Sequence, residues 1–439
     1  MSAGVSGQPG FPNRLRRYSW APDLWLQTAR VDARSTGLIT VGCPVDFHAI
    51  RVGFANVRAE PFGVARVIAR PSAGWADHFN PAGQGAWTPL TFAANGADVD
   101  RIATRPGAPT AISVAGNAVD PLTGLADIPV WTWTDWTPLL GIASPTDPDG
   151  HRVAMLRYLL EPGVVTFANG QFGGYTGVAD LHRGYDHAIA GYGTVDRVST
   201  PAPNDIVPEI ARVNNPVNGS AIACVQFATR DACIVGLSVG DSHHMGVSTT
   251  ASFTNYLLRA TVELGGRHKG AIPFGMVNAA VGGQASDAFF ACLDALLPAI
   301  RPTYVVLPGW SYNDATDGVP ADAAAVALFL ARLIKAADAC VLAGALPIFL
   351  TPIPRNAENM TPVQMEGWRM ARDTILGMRQ SGALVLDAGA LLGNQRDGVL
   401  DGTYMPEFTN DQVHPNDAGH ARIASALLVP AIETLIGAQ

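Results

Sequence analysis

The stretch from Cys233 to Gly246, CIVGLSVGDSHHMG, constrains this chain more than any other, because an apolar run ends there abruptly in a small, polar, turn-forming cluster. Cys233 to Val239 has the length and composition of a buried strand and no 3.6-residue period, and Gly240-Asp241-Ser242 reads as the bend at its carboxyl end. Open α/β sheets bind ligands at that edge. A helical pattern follows from about Thr249 to Leu264, which puts Ser242 between a strand end and a helix start, where unpaired backbone N–H groups favour a developing negative charge. A second reading competes, since Gly236-Leu237-Ser238-Val239-Gly240 satisfies the G-x-S-x-G nucleophile elbow and nominates Ser238. In that elbow the helix begins directly after the serine, whereas Gly240, Asp241 and Gly246 delay it here, so Ser242 is preferred.

A length of 439 residues suggests two domains, each able to bury its own core. Apolar residues make up 48% and charged ones 15%, a globular composition. The net charge of -8 offers no basic footprint for nucleic acid. No run of about 18 apolar residues marks a membrane span. The first twenty residues are polar and carry Arg14, Arg16 and Arg17 with no apolar stretch behind them, so as written they are not a signal peptide. A cytoplasmic protein and a secreted one with its leader removed both fit. The five cysteines are dispersed, mostly inside apolar runs and without a C-x-x-C, which predicts buried thiols rather than disulfides or a metal site.

Residues 1–215 read as an N-terminal β-sandwich of jelly-roll-like kind. Short apolar or alternating runs such as Gly37 to Val41, Ala49 to Phe54, Gly63 to Ile68, Ile128 to Trp133 and Val153 to Leu159 are split by Gly, Pro, Asn and Asp. The Pro- and Asn-rich stretch from Val198 to Ser220 is the expected connection, although Ala221 to Phe227 could be a strand of either half. Trp20, Trp25, Trp75, Trp87, Trp131, Trp133 and Trp136 all lie in this half, either as an aromatic platform for a sugar or, the preferred reading, as core and rim. Residues 216–439 read as a three-layer α/β/α domain of flavodoxin-like kind with a five-stranded parallel sheet. After the strand before Ser242 its strands are Ile272 to Val277, Tyr304 to Leu307, Pro347 to Leu350 and Ala383 to Leu386. Helical periods at Ala285 to Ile300, Ala321 to Ala339, Pro362 to Arg379 and Pro415 to Ile436 alternate with them.

The remaining polar clusters follow these strands or stand at the mouth of the last helix. Asn278 to Gly283 follows the second strand, Gly309-Trp310-Ser311-Tyr312-Asn313-Asp314 the third, and Asp411-Gln412-Val413-His414 precedes the final helix. In a parallel sheet such loops gather at one edge. A carboxylate three residues before a histidine can accept its Nδ1–H while Nε2 faces outward to take a proton, and Pro415 holds His414 on a rigid corner. A lone Asp-x-x-His is more often a solvated helix start; the company of Ser242 and Asn313 reverses that expectation.

These residues resemble the SGNH hydrolases, the GDSL-type esterases and lipases. Gly240-Asp241-Ser242 resembles the family's nucleophile block, Gly283 its oxyanion glycine, Asn313-Asp314 its oxyanion asparagine block and Asp411-x-x-His414 its acid/base block, in family order over about half the chain. The resemblance implies ester hydrolysis through an acyl-serine. Ser242 would be the nucleophile, His414 the base and Asp411 its orienter, with Ser242 N–H, Gly283 N–H and the Asn313 side chain as oxyanion donors. Ser311 stands where the family usually has glycine, and His243 where it more often has leucine. His243 reads either as a substrate-contacting or tuning residue or as packing beside the turn, and Trp310 as a second substrate-contact candidate. Looser similarity to the β-sandwich of some two-domain members rests on Ala49 to Asn56 and Asp135 to Leu139.

The expected protein is thus a soluble serine esterase without metal or organic cofactor, acting on small-molecule or polysaccharide esters, acetylated carbohydrate and short-chain acyl esters first among them. His244 and the pair His182/His187 lack partners at ligand spacing. Acyl transfer to a sugar or alcohol uses the same intermediate, and a noncatalytic carbohydrate-binding or virion-type protein is the rival from another class.

Overall fold

The computed structural model describes residues 16–21, 26–72, 86–100, 107–119, 128–143, 150–169, 185–186, 192–193, 198, 219–249, 254–268, 271–355 and 360–437. His182 and His187, Trp25 and Trp75, and the expected connection from Val198 to Ser220 apart from its ends lie outside the described residues.

The N-terminal half is built of strands: β1 (Arg16–Ala21), β2 (Ser35–Cys43), β3 (Phe47–Asn56), β4 (Phe62–Ser72), β5 (Val130–Trp133) and β6 (Arg152–Leu160) among them. β6 pairs antiparallel with β2 on one side and β4 on the other. Trp20, Trp133 and Trp136 are buried in this half, and Trp131 stacks on Trp133 with ring centroids 5.2 Å apart, as residues two apart on one strand face must. These rings pack the interior; the Arg51 guanidinium lies 4.4 Å over the Trp133 ring and 4.7 Å over that of Trp136.

Next come β7 (Ile222–Thr229), β8 (Ile234–Ser238), α1 (Ser242–Met245), α2 (Tyr256–Arg267), β9 (Phe274–Asn278), β10 (Tyr304–Leu307), α3 (Ala323–Leu342), β11 (Leu346–Leu350), α4 (Pro362–Gly377), β12 (Leu384–Leu386) and α5 (Asp417–Ile423). The class is mixed α/β. The expected helix from Thr249 begins later, at Tyr256, because Gly246 ends the short α1 in a left-handed conformation and Asn255 caps α2 through its side chain.

The sheet departs from a self-contained set of five strands. Its order is β12-β11-β10-β8-β9-β1-β7-β3-β5, with one further strand beside β3. The run from β12 to β9 is parallel, but β1 adds to β9 in parallel and then pairs antiparallel with β7. β7, on the C-terminal side of a boundary at residue 215, also pairs antiparallel with β3. The two halves therefore share one sheet, and a division between 1–215 and 216–439 cuts through it. The seam is a charge cluster. Arg17 of β1 and Arg51 of β3, both fully buried, reach Asp98, at 3.0 and 2.6 Å; Arg17 and Arg301 also pair with Asp100. Burial, then the neighbouring Arg17, lowers the Arg51 pKa to about 10, with Asp98 opposing.

All five cysteines are buried and free. Among the described residues one helical run, Asp417–Gly437, is long and apolar enough to cross a membrane, although no such run stood out in the sequence. Its Ile423, Leu428, Val429 and Ile432 are buried in the core that the whole sheet shares.

Candidate active site

Ser242 stands directly beyond β8 as the first residue of α1. Gly240 makes the bend possible, with φ +149° and a Cα so close to the His244 ring that a Cβ would come within 2.6 Å of it. Ser238 is fully buried inside β8 and its hydroxyl lies 3.2 Å from that of Tyr256, so no base faces it. The Ser242 hydroxyl lies 2.9 Å from His414 Nε2, and His414 Nδ1 lies 2.7 Å from Asp411 Oδ2. The loop carrying Asp411 and His414 therefore meets the turn carrying Ser242 across a sequence separation of 172 residues.

Asp411 is held from several directions. Its Oδ1 accepts the backbone N–H groups of Val413 and His414 at 2.9 and 2.7 Å, and its Oδ2 accepts the Ser248 hydroxyl at 2.6 Å. Gln412, at φ +67°, supplies the tight turn that lets one carboxylate do this. Burial opposes its ionisation, yet these hydrogen bonds hold its pKa well below the usual carboxylate range. His414 moves the other way from a paired histidine: burial and then the neighbouring His243 lower its pKa, more than Asp411 and Asp241 raise it.

Gly283 lies on the loop after β9 and Asn313 on the loop after β10. Gly283 is exposed at φ +83°, next to the N–H of Gln284, which closes a turn on the Val281 carbonyl at 3.3 Å. The Asn313 side-chain amide donates to the Gln284 carbonyl at 2.9 Å, tying its loop to that turn, and the side chain is otherwise exposed.

The residue that sequence reasoning missed is Asp241. It is fully buried, and its carboxylate accepts the His243 N–H at 3.0 Å, the Ser311 hydroxyl at 2.8 Å and the Tyr312 N–H at 3.1 Å, with Nδ1 of His243 and of His244 at 3.0 and 3.3 Å. Burial opposes its charge, but the two histidines hold its pKa well below the ordinary value. This explains Ser311: with φ −92° nothing in the backbone calls for glycine, and the hydroxyl joins the loop after β10 to Asp241. Ser248 was missed as well; only its neighbourhood to Asp411 in space reveals it.

Of the two substrate-contact candidates, His243 was open to packing beside the turn as well, and both are buried. Trp310 is buried with its ring 5.2 Å from Phe329, and His243 is buried between Asp241 and the rings of Tyr312 and His414. Both border a small cavity shared with His244, Arg355 and Trp368. No cluster of His, Cys, Asp and Glu that could hold a metal occurs among the described residues.

No protein-family model and no curated protein matches the chain. Solved structures do match. They include lipolytic proteins described as of the G-D-S-L family, an esterase, an acylhydrolase and an enzyme described as an alpha/beta hydrolase. A GDSL-like lipase from Bacteroides thetaiotaomicron is 16% identical, covering 46% of this chain and 88% of its own, with a TM-score of 0.34. The psychrotrophic esterase EstA from Pseudoalteromonas is 16% identical over 46% of this chain and 98% of its own, with a TM-score of 0.35. A member of the lipolytic G-D-S-L family from Veillonella parvula is 13% identical over 45% and 97%, with a TM-score of 0.34.

Proposed function

We propose that this chain is a serine carboxylic-ester hydrolase of the GDSL type that works through an acyl-serine intermediate. The observation that carries the reading is the unbroken line from Ser242 Oγ through His414 to Asp411, at 2.9 and 2.7 Å. In this scheme His414 Nε2 takes the Ser242 proton as Oγ attacks the ester carbonyl, and Asp411 stabilises the resulting imidazolium. The imidazolium then protonates the departing alkoxide. Water repeats the sequence to free the acid and restore Ser242. The Ser242 and Gly283 N–H groups and the Asn313 amide are the donors for the oxyanion. The site is built from half-exposed loops with Asp411, Gly283 and Asn313 at the surface, which favours short acyl groups, including acetyl groups on carbohydrate. The N-terminal strands are its companion unit.

The test is an acyl-length series of 4-nitrophenyl esters beside acetylated xylan. Turnover is expected to be greatest for acetyl and butyryl esters and to be abolished by a serine-directed phosphonate whose adduct maps to Ser242 by mass spectrometry. An adduct on Ser238 would replace this scheme by the α/β-hydrolase elbow.

Asn313→Ala is expected to lower kcat by about a hundred- to a thousand-fold with little change in KM, because a side-chain oxyanion donor acts on charge that exists only in the transition state. Unaltered kcat in steady-state assays would remove Asn313 from the site.

A further inference from the structure

Arg355 stands on the loop after β11, at the same edge of the parallel strands as Ser242, and the acyl-transfer scheme does not use it. Its backbone N–H donates to the Gly402 carbonyl at 2.9 Å, which fixes where the side chain starts. The guanidinium lies 5.2 Å over the Tyr312 ring, and its Nη1 is buried without an acceptor among the described residues. Buried polar groups are paired in all but a few cases, and an aromatic face replaces only part of what a carboxylate gives a cation. Gly318, at φ +69°, lets ring and guanidinium lie together, since a Cβ there would come within 2.6 Å of the Tyr312 ring and 3.1 Å of Arg355 Nε.

The same arginine lines the cavity bordered by His243, His244, Trp310, Tyr312 and Trp368. The volume, about 20 Å3, exceeds what one water needs and leaves room for one small group. Buried Trp310 also has an Nε1–H without an acceptor among the described residues, whereas Trp368 Nε1 donates to the Ile353 carbonyl at 3.2 Å. No carboxylate is among the described lining residues. Asp241, which both histidines contact, is already claimed by the His243 and Tyr312 N–H groups and the Ser311 hydroxyl. His244 turns Nδ1 to Asp241 at 3.3 Å, so Nε2 of the neutral ring is an acceptor that suits a hydroxyl or a water beside an anion rather than the anion itself.

Resting on the role given above to Ser242, we propose that this cavity is a carboxylate subsite: Arg355, with the Trp310 indole N–H, receives an anionic group carried by the ester. The substrates are then monoesters of dicarboxylic acids, with the charge in the acyl half, or acyl esters of hydroxy acids, with the charge in the alcohol half. The cavity adjoins the nucleophile turn through His243, the residue after Ser242, whose ring is 5.8 Å from that of Tyr312, so a short spacer joins ester carbonyl and carboxylate. A guanidinium presents a planar fork that matches both carboxylate oxygens, and no protein carboxylate has to be displaced from it first.

The experiment measures kcat/KM for two matched pairs in wild type, Arg355→Gln and Arg355→Lys, each value divided by the ester's rate with hydroxide. The pair 4-acetoxybenzoate and 4-acetoxybenzamide varies the alcohol half; mono-4-nitrophenyl adipate and 4-nitrophenyl hexanoate vary the acyl half. Expected is a wild-type preference for the charged member of one pair, which identifies the half that carries the anion, and its fall by about ten- to a hundredfold in Arg355→Gln, chiefly through KM. Arg355→Lys should recover part of it, keeping the charge but not the fork. No preference in either pair for wild type, or one unaltered in a folded Arg355→Gln, overturns the proposal. A second arm needs no turnover: 4-hydroxybenzoate, adipate and the neutral 4-hydroxybenzamide are titrated into 15N-labelled wild type while the indole N–H of Trp310, assigned through Trp310→Phe, is followed. A saturable shift with a carboxylate and none with the amide supports the subsite, and no shift with either carboxylate overturns it. Should Arg355→Gln fail to fold, this titration decides. An absence of turnover of all four esters by wild type would instead strike the hydrolase reading, while the titration still decides the subsite.

Discussion

Replacing Ser242 by Ala is expected to lower kcat for 4-nitrophenyl acetate by a factor on the order of a million, close to the uncatalysed background. The Ser242 hydroxyl is the group that meets His414 Nε2, and the serines nearby are committed elsewhere. Ser238 is sealed inside β8 against Tyr256, and the Ser248 hydroxyl is spent on Asp411. Neither can move to the base without breaking a packed strand or the Asp411 cage. The fold should survive, since the Ser242 side chain is half-exposed and α1 is capped by Asp241 rather than by Ser242. Ser238→Ala is the control and should retain most activity, losing only one buried hydroxyl pair. If the two variants exchanged these outcomes, the nucleophile would have been misassigned.

Much of this site was legible because strand ends announce themselves. Apolar runs such as Cys233 to Val239 and Tyr304 to Leu307 pass abruptly into Gly, Asn, Asp and Ser, and a parallel sheet collects those loops at one edge. What was not legible depends on partners brought together only by tertiary structure. Asp241 looks like an ordinary turn residue until Ser311 and Tyr312 arrive from another loop, and Ser248 gains meaning only from Asp411, 163 residues away. The pairing of β1 with β9, Trp20 opposite Met276, leaves no local pattern at all, so five strands were expected where the sheet has ten. Arg17 and Arg51 even argue against buried strands locally. Their cost is offset by Asp98 and Asp100, which lie in an irregular segment with no strand pattern of its own.

Asp411→Asn is expected to lower kcat/KM by on the order of ten-thousand-fold while the protein still folds. The argument is one of donors and acceptors. In Asp411 one oxygen accepts two backbone N–H groups and the other accepts His414 Nδ1–H together with the Ser248 hydroxyl. An asparagine has one oxygen, and the two fixed backbone donors claim it. Its NH2 group then faces His414 Nδ1, which must become an acceptor, so the ring proton moves to Nε2. In that tautomer Nε2 cannot take the proton from Ser242, and no carboxylate stabilises the imidazolium. Asp417 is the obvious substitute in sequence but not in space. Its Oδ1 accepts Arg259 Nη2 at 2.7 Å and the Thr254 hydroxyl at 3.2 Å, which holds it toward α2. Asp417→Asn should therefore be near wild type in steady-state assays. Severe loss in Asp417→Asn with a nearly intact Asp411→Asn would move the orienting carboxylate to the helix and undo the acid/base loop as the partner of Ser242.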